Sequence, residues 1–198
     1  MLGASTAAIT YMASPFESVG YGLSLPLRSI ALWLIPCSIA GFVVAVLTAW
    51  ASAVVGSRFA FVIGGMLLVI GFGVMIAAHD TAVHFGTAMI IQFAGIGVVQ
   101  SALPAVLSES VDHTKRGVAT GLGDTIKSLG GVLSTAIFAT LQNSMVIANT
   151  RTPTLQSYLL IWWVCGGIAA LIVIMAAFIP RAQPRDGVAP AQAVQHPA

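Results

Sequence analysis

Charge is scarce in this chain. Eight Lys or Arg and six Asp or Glu make only 7% of its 198 residues, against 58% hydrophobic. A soluble domain of this length needs far more charge to keep its surface wet, so a water-soluble globule is excluded. The net charge of +2 is too small and too scattered for a nucleic-acid partner. Cysteine is nearly missing as well. Cys37 and Cys165 stand singly in separate apolar runs, with no CxxC, so there is no disulfide framework to read and each is expected to pack as a small apolar side chain. Histidine offers little more. His79, Asp80 and His84 share one short segment without a fourth ligand, a weak set for a metal, and neither a metal nor a cofactor is expected. No Ser/His/Asp set, catalytic carboxylate pair or His-rich helix motif is spaced for chemistry, so a membrane enzyme has no support.

What is present is a series of long uncharged stretches. No charged residue falls within 29–57, 59–79, 81–108, 128–150 or 152–180. Each interval holds one helix of about 20 residues, enough to cross a hydrocarbon core of about 30 Å. The expected fold is all-α and integral to the membrane, with five complete transmembrane helices at about 29–50, 59–78, 87–107, 118–141 and 157–179. A partial helix over 1–13 precedes them and reads as the end of a helix whose beginning is missing. Pro15, Gly20, Gly22 and Pro26 mark a surface loop after it, and 79–86 and 142–156 read as polar connections. Pro36 is expected to kink or loosen the first full span. Trp33 and Trp50 suit its two headgroup levels, and Tyr158, Trp162 and Trp163 read as an aromatic belt where the last span begins. The tail 181–198 is rich in Pro, Ala and Gln, lacks an apolar period and is expected to be disordered.

Orientation follows from the basic residues. Alternating spans put Arg58, Lys115, Arg116, Arg181 and Arg185 on one side and Arg28 and Arg151 on the other. The first side is then cytoplasmic, and the tail lies inside.

The stretch 109–135 carries the chemistry. With a membrane boundary near Arg116, Asp124 and Lys127 stand about 12 and 16 Å deep, at i and i+3 on one helical face. Charges at that depth are costly and belong against other helices or water. A helical wheel places Gly121, Asp124, Lys127, Ser128, Gly131, Ser134 and Thr135 on one side, and Leu122, Ile126, Leu129, Leu133 and Ile137 on the other. Phe138 breaks the sorting by falling on the polar side. Asp124, Lys127 and Ser128, with Gln92 and Gln100 of the third span, are candidates for a transport pathway or for buried charge. The alternatives are a mutually neutralising structural pair and interhelical amide glue. Gly121, Gly131 and Ser134 are helix-packing candidates, through which two copies of the chain could meet. Arg58, Lys115 and Arg116 are assigned to cytoplasmic loops.

These residues carry a resemblance. YMASPFESVGYGLSLPLRSIALWLIP resembles the close of the seventh helix and the start of the eighth in major facilitator superfamily transporters. RGVATGLGDTIKSLGG resembles their loop-to-eleventh-helix segment, with Arg116, Gly117, Asp124, Lys127, Gly130 and Gly131 at the matching positions. Asp124 departs from the more usual amide. WASAVVGSRF keeps Gly56 and Arg58 of the loop thought to latch the two helix bundles, but lacks its acid. The likeness is to the C-terminal half, in the drug–proton antiporter branch. It implies that 1–180 is a transmembrane half-domain of a plasma-membrane carrier that exports small amphipathic or drug-like molecules against protons. It also implies that the first six helices and most of the seventh are absent, so that substrate and protons engage only when an N-terminal half completes the site. The competing reading is a non-transporting truncated or accessory membrane protein that pairs with another chain.

Overall fold

The computed structural model describes residues 2–111, 115–147 and 152–178, and among them the architecture is all helical. In chain order the helices are α1 (Leu2–Ala13), the single turn α2 (Phe16–Val19), α3 (Leu27–Val55), α4 (Ser57–Ala77), α5 (Ala82–Ser110), α6 (Arg116–Ser144) and α7 (Leu155–Phe178). An antiparallel bridge between Val146 and Pro153 closes the connection from α6 to α7. Helices satisfy their backbone groups internally, as a bilayer demands.

Among the described residues four helices are long and apolar enough to cross a membrane: Leu27–Ala51, Phe59–Ala77, Ala82–Pro104 and Leu155–Ala176. The expected count of five complete spans is not matched among the described residues. Its fourth member forms as α6, and 29 residues are ample for a crossing. Asp124, Lys127 and the stripe of glycines and hydroxyls make α6 too polar to stand with the other four.

Connections are shorter than the sequence suggests. Gly56 alone separates α3 from α4, with φ of 92°, a backbone state that favours glycine. Arg58, expected in a loop, is the second residue of α4. Helix α5 begins at Ala82, so the connection expected over 79–86 is complete by Thr81 and His84 lies in the helix. Pro36 and Pro104 both sit inside continuous helices.

Packing is densest between α4 and α5, followed by α3 on α5 and α4 on α7. Glycine sets the spacing. A Cβ added to Gly95 would stand 3.0 Å from the Gly64 carbonyl oxygen, and one added to Gly71 would stand 3.1 Å from Gln92 Cα. A Cβ on Gly97 would collide with the Gly41 carbonyl oxygen. Lipid is as apolar as a leucine side chain, so close backbone approach and dispersion have to hold such helices together.

The core draws on Leu68, Phe72 and Met75 of α4, Phe85 and Met89 of α5, and Ile161 and Trp162 of α7. Helix α1 belongs to it rather than to the periphery, since Ala4, Ala7, Ala8, Tyr11 and Met12 are each 1% exposed or less. Cys37 and Cys165 are buried free thiols. The tail 181–198 lies outside the described residues.

Candidate functional site

Helix α6 shows both of its faces. Leu122, Ile126, Leu129, Leu133 and Ile137 are 59–62% exposed and form the apolar side. On the other side Gly121, Asp124, Lys127, Ser128 and Thr135 are exposed as well. Lys127 Nζ donates to Asp124 Oδ1 at 2.8 Å, with the two side chains 46% and 62% exposed. The charges pair as their spacing predicts, yet among the described residues no helix lies over them.

Most hydroxyls of α6 bond within the helix. Thr120 donates to the Arg116 carbonyl, Thr125 to Gly121, and Ser134 and Thr135 both to Gly131. Back-bonding of this kind lets hydroxyls sit on a helix without a partner. A Cβ added to Gly117, Gly121 or Gly130 would meet nothing within 4 Å. Gly121, expected to pack a helix, therefore has open space in front of it.

Ser134 behaves differently. Gly3 of α1 approaches its backbone, and a Cβ added there would lie 3.1 Å from the Ser134 carbonyl oxygen and 2.7 Å from the Phe138 ring. Phe138 is buried at 8% exposure. Its place on the polar side has a physical reason: α1 crosses α6 there and needs an apolar contact.

The two glutamines part company. Gln92 is 1% exposed and packs where Gly71 of α4 comes close. Neither of its amide atoms has a hydrogen-bond partner, so the cross-helix bond expected of it is not made. It belongs to the seam between α4 and α5, whereas Gln100 is exposed. Lys115 is exposed immediately before α6, and Arg116 is the first residue of that helix. The side chain of Arg58 lies outside the described residues.

The opposite end of the bundle is closed by aromatic rings that sequence reading did not bring together. Tyr11 lies 5.1 Å from Phe85, 5.3 Å from Trp162, 5.5 Å from Tyr158 and 6.1 Å from Tyr21, between ring centroids. Its hydroxyl donates to the His79 carbonyl at 3.2 Å, and the Tyr21 hydroxyl donates to the Pro153 carbonyl. Burial pushes the Tyr21 phenol above its ordinary pKa, with a hydrogen bond to Ser14 opposing the shift. Tyr158 and Trp162 were expected in an interfacial belt, but both are fully buried, and only Trp163 of that trio is exposed. Their i, i+4 spacing already placed them on one face. Which way that face points depends on α1 and α5. His79 Nδ1 lies 3.1 Å from the Ile76 carbonyl and its Nε2 3.7 Å from Asp80, while His84 bonds Thr81. Among the described residues no three potential ligands converge on a metal site.

The chain matches the Major Facilitator Superfamily over residues 1–135. That stretch runs from α1 through α5 into α6 and includes Asp124 and Lys127. None of the curated proteins compared with the chain matches it. With well over half of its length matched, and with apolar helices seamed by glycine, the chain belongs to the Major Facilitator Superfamily, a family of multi-pass membrane transporters.

Proposed function

We propose that the chain corresponds to the C-terminal half of a proton-coupled efflux carrier for small amphipathic molecules, seated in the plasma membrane with its C-terminus in the cytoplasm. One observation carries the reading. The Asp124–Lys127 pair stands exposed on the polar side of α6, ahead of the point where α1 packs on Ser134 and Phe138. In this reading α6 is a fifth crossing, its leucines meet lipid, and its polar side lines the pathway. A site near the midplane between two rocking halves needs a second wall, and an amino-terminal half supplies it. An acid on the pathway side is what a carrier that couples to protons needs there.

The test uses liposomes and a dye whose efflux follows an imposed proton gradient. The chain alone is expected to move no dye, whereas the chain with a matching six-helix amino-terminal half moves it. Asp124→Asn in that pair is expected to lower proton-driven efflux at least tenfold while leaving assembly intact. Transport by the chain alone, or none from the combination, would sink the reading. The same open face also suits an accessory subunit that pairs with another membrane protein, and a stable complex without transport is the result that would favour it.

A further inference from the structure

One side of α3 carries a groove that the transport reading does not use. Ser29, Leu32, Trp33 and Pro36 line an open hollow of about 380 Å³. These positions recur at helical spacing and share a face with Arg28, the second residue of α3. Arg28 is exposed, and no salt bridge or side-chain hydrogen bond engages it among the described residues. Glu17, the acid nearest in sequence, is exposed on α2 and does not pair with it.

The hollow has a fixed wall. The ring of Trp33 lies so close to Gly86 of α5 that a Cβ there would collide with it. Trp33 is thus held by a neighbouring backbone. Beside it, Leu32 is 59% exposed and offers an apolar flank. From Arg28 to Pro36 is eight residues, about 12 Å along the axis, close to the depth of one leaflet of a hydrocarbon core about 30 Å thick.

We propose that this groove is a binding site for one anionic phospholipid, with its phosphate on the Arg28 guanidinium and the upper part of one acyl chain along Leu32, Trp33 and Pro36. Charge complementarity selects the occupant. An unpaired guanidinium at headgroup level takes a phosphate in bidentate fashion. A zwitterionic lipid brings its own cation, which competes for that phosphate. The bound chain braces Trp33 against Gly86 and so supports the crossing of α3 over α5.

Tryptophan quenching reads the site directly. The full chain carries Trp50→Phe and Trp163→Phe, which removes the two most exposed indoles, at 79% and 66%, and leaves Trp33 with the buried Trp162. It is placed in phosphatidylcholine vesicles doped with phosphatidylglycerol or phosphatidylcholine brominated on the acyl chain. Half-quenching of Trp33 is expected at roughly fivefold lower phosphatidylglycerol, the ratio that about 1 kcal/mol per basic residue implies. Arg28→Gln is expected to abolish the preference, and Arg28→Lys to keep part of it. Leu32→Phe, which fills the hollow without touching the charge, is expected to weaken quenching by both lipids. Helical circular dichroism confirms that each variant is folded. Equal quenching by the two lipids, or a preference that survives Arg28→Gln, would overturn the site.

Discussion

Helices α5 and α6 have the same length, 29 residues, and each mixes glycine with polar side chains, but the structure treats them in opposite ways. On α5 the glycines are contact points: a Cβ on Gly86, Gly95 or Gly97 would run into Trp33, Gly64 or Gly41, and Gln92 is sealed in beside them. On α6 a Cβ on Gly117, Gly121 or Gly130 would meet nothing, and Asp124 and Lys127 stand exposed. A stripe of small residues therefore states that a neighbour can approach closely. It does not state that the neighbour belongs to the same chain. The contents of the stripe carry the further distinction, since α6 holds an ion pair where α5 holds a sealed amide between its glycines.

The contrast can be broken most forcefully at its glycines. Gly97→Leu drives a side chain into the Gly41 carbonyl, a backbone atom that moves only if α3 and α5 separate. Most of the detergent-resistant folded protein is expected to be lost, as size-exclusion chromatography would register. Gly121→Leu on α6 is expected to leave that yield unchanged. Comparable losses from the two variants would erase the difference between the helices.

Phe138 tests a place where α6 does behave like α5. Phe138→Ala removes its anchor on α1, and stability in a denaturant titration is expected to fall. The loss should be smaller than the roughly 3–5 kcal/mol typical of a soluble core, because lipid solvates a phenyl ring about as well as protein does. An unchanged midpoint would mean that α1 does not hold α6.

The closed aromatic end should respond to alkali. Burial raises the Tyr21 pKa above 10.0, so the folded state binds that proton more tightly than the unfolded state. The stabilisation is complete below pH 10 and is lost as pH rises through the higher folded value. Tyr21→Phe removes this alkaline limb and, with the bond to Pro153, costs about 1 kcal/mol at neutral pH. Equal pH profiles for the two proteins above pH 10 would rule out the contribution.

The smallest effect is expected from the ion pair. A double-mutant cycle with Asp124→Asn and Lys127→Met in the detergent-solubilised chain should give a coupling of only about 0.2–1 kcal/mol, as for other exposed pairs. The depth argument from sequence expects more, with either single change costing more than both together. A coupling above roughly 2 kcal/mol would show that the pair is desolvated after all, and that α6 is not open.

Much of this was legible without coordinates. Uncharged intervals located the apolar helices, because a bilayer penalises charge whatever surrounds the helix. The i, i+3 spacing brought Asp124 to Lys127, because helix geometry alone sets that distance. Both are local or solvent-driven effects, decided within one helix. Arrangement between helices was not legible. That Tyr158 and Trp162 turn inward onto Tyr11, that Phe138 is buried by Gly3, and that Gln92 is sealed while Gln100 is exposed depends on which helix lies beside which. In lipid no difference in hydrophobicity separates an outer face from an inner one, so only the fit of one backbone against another decides it.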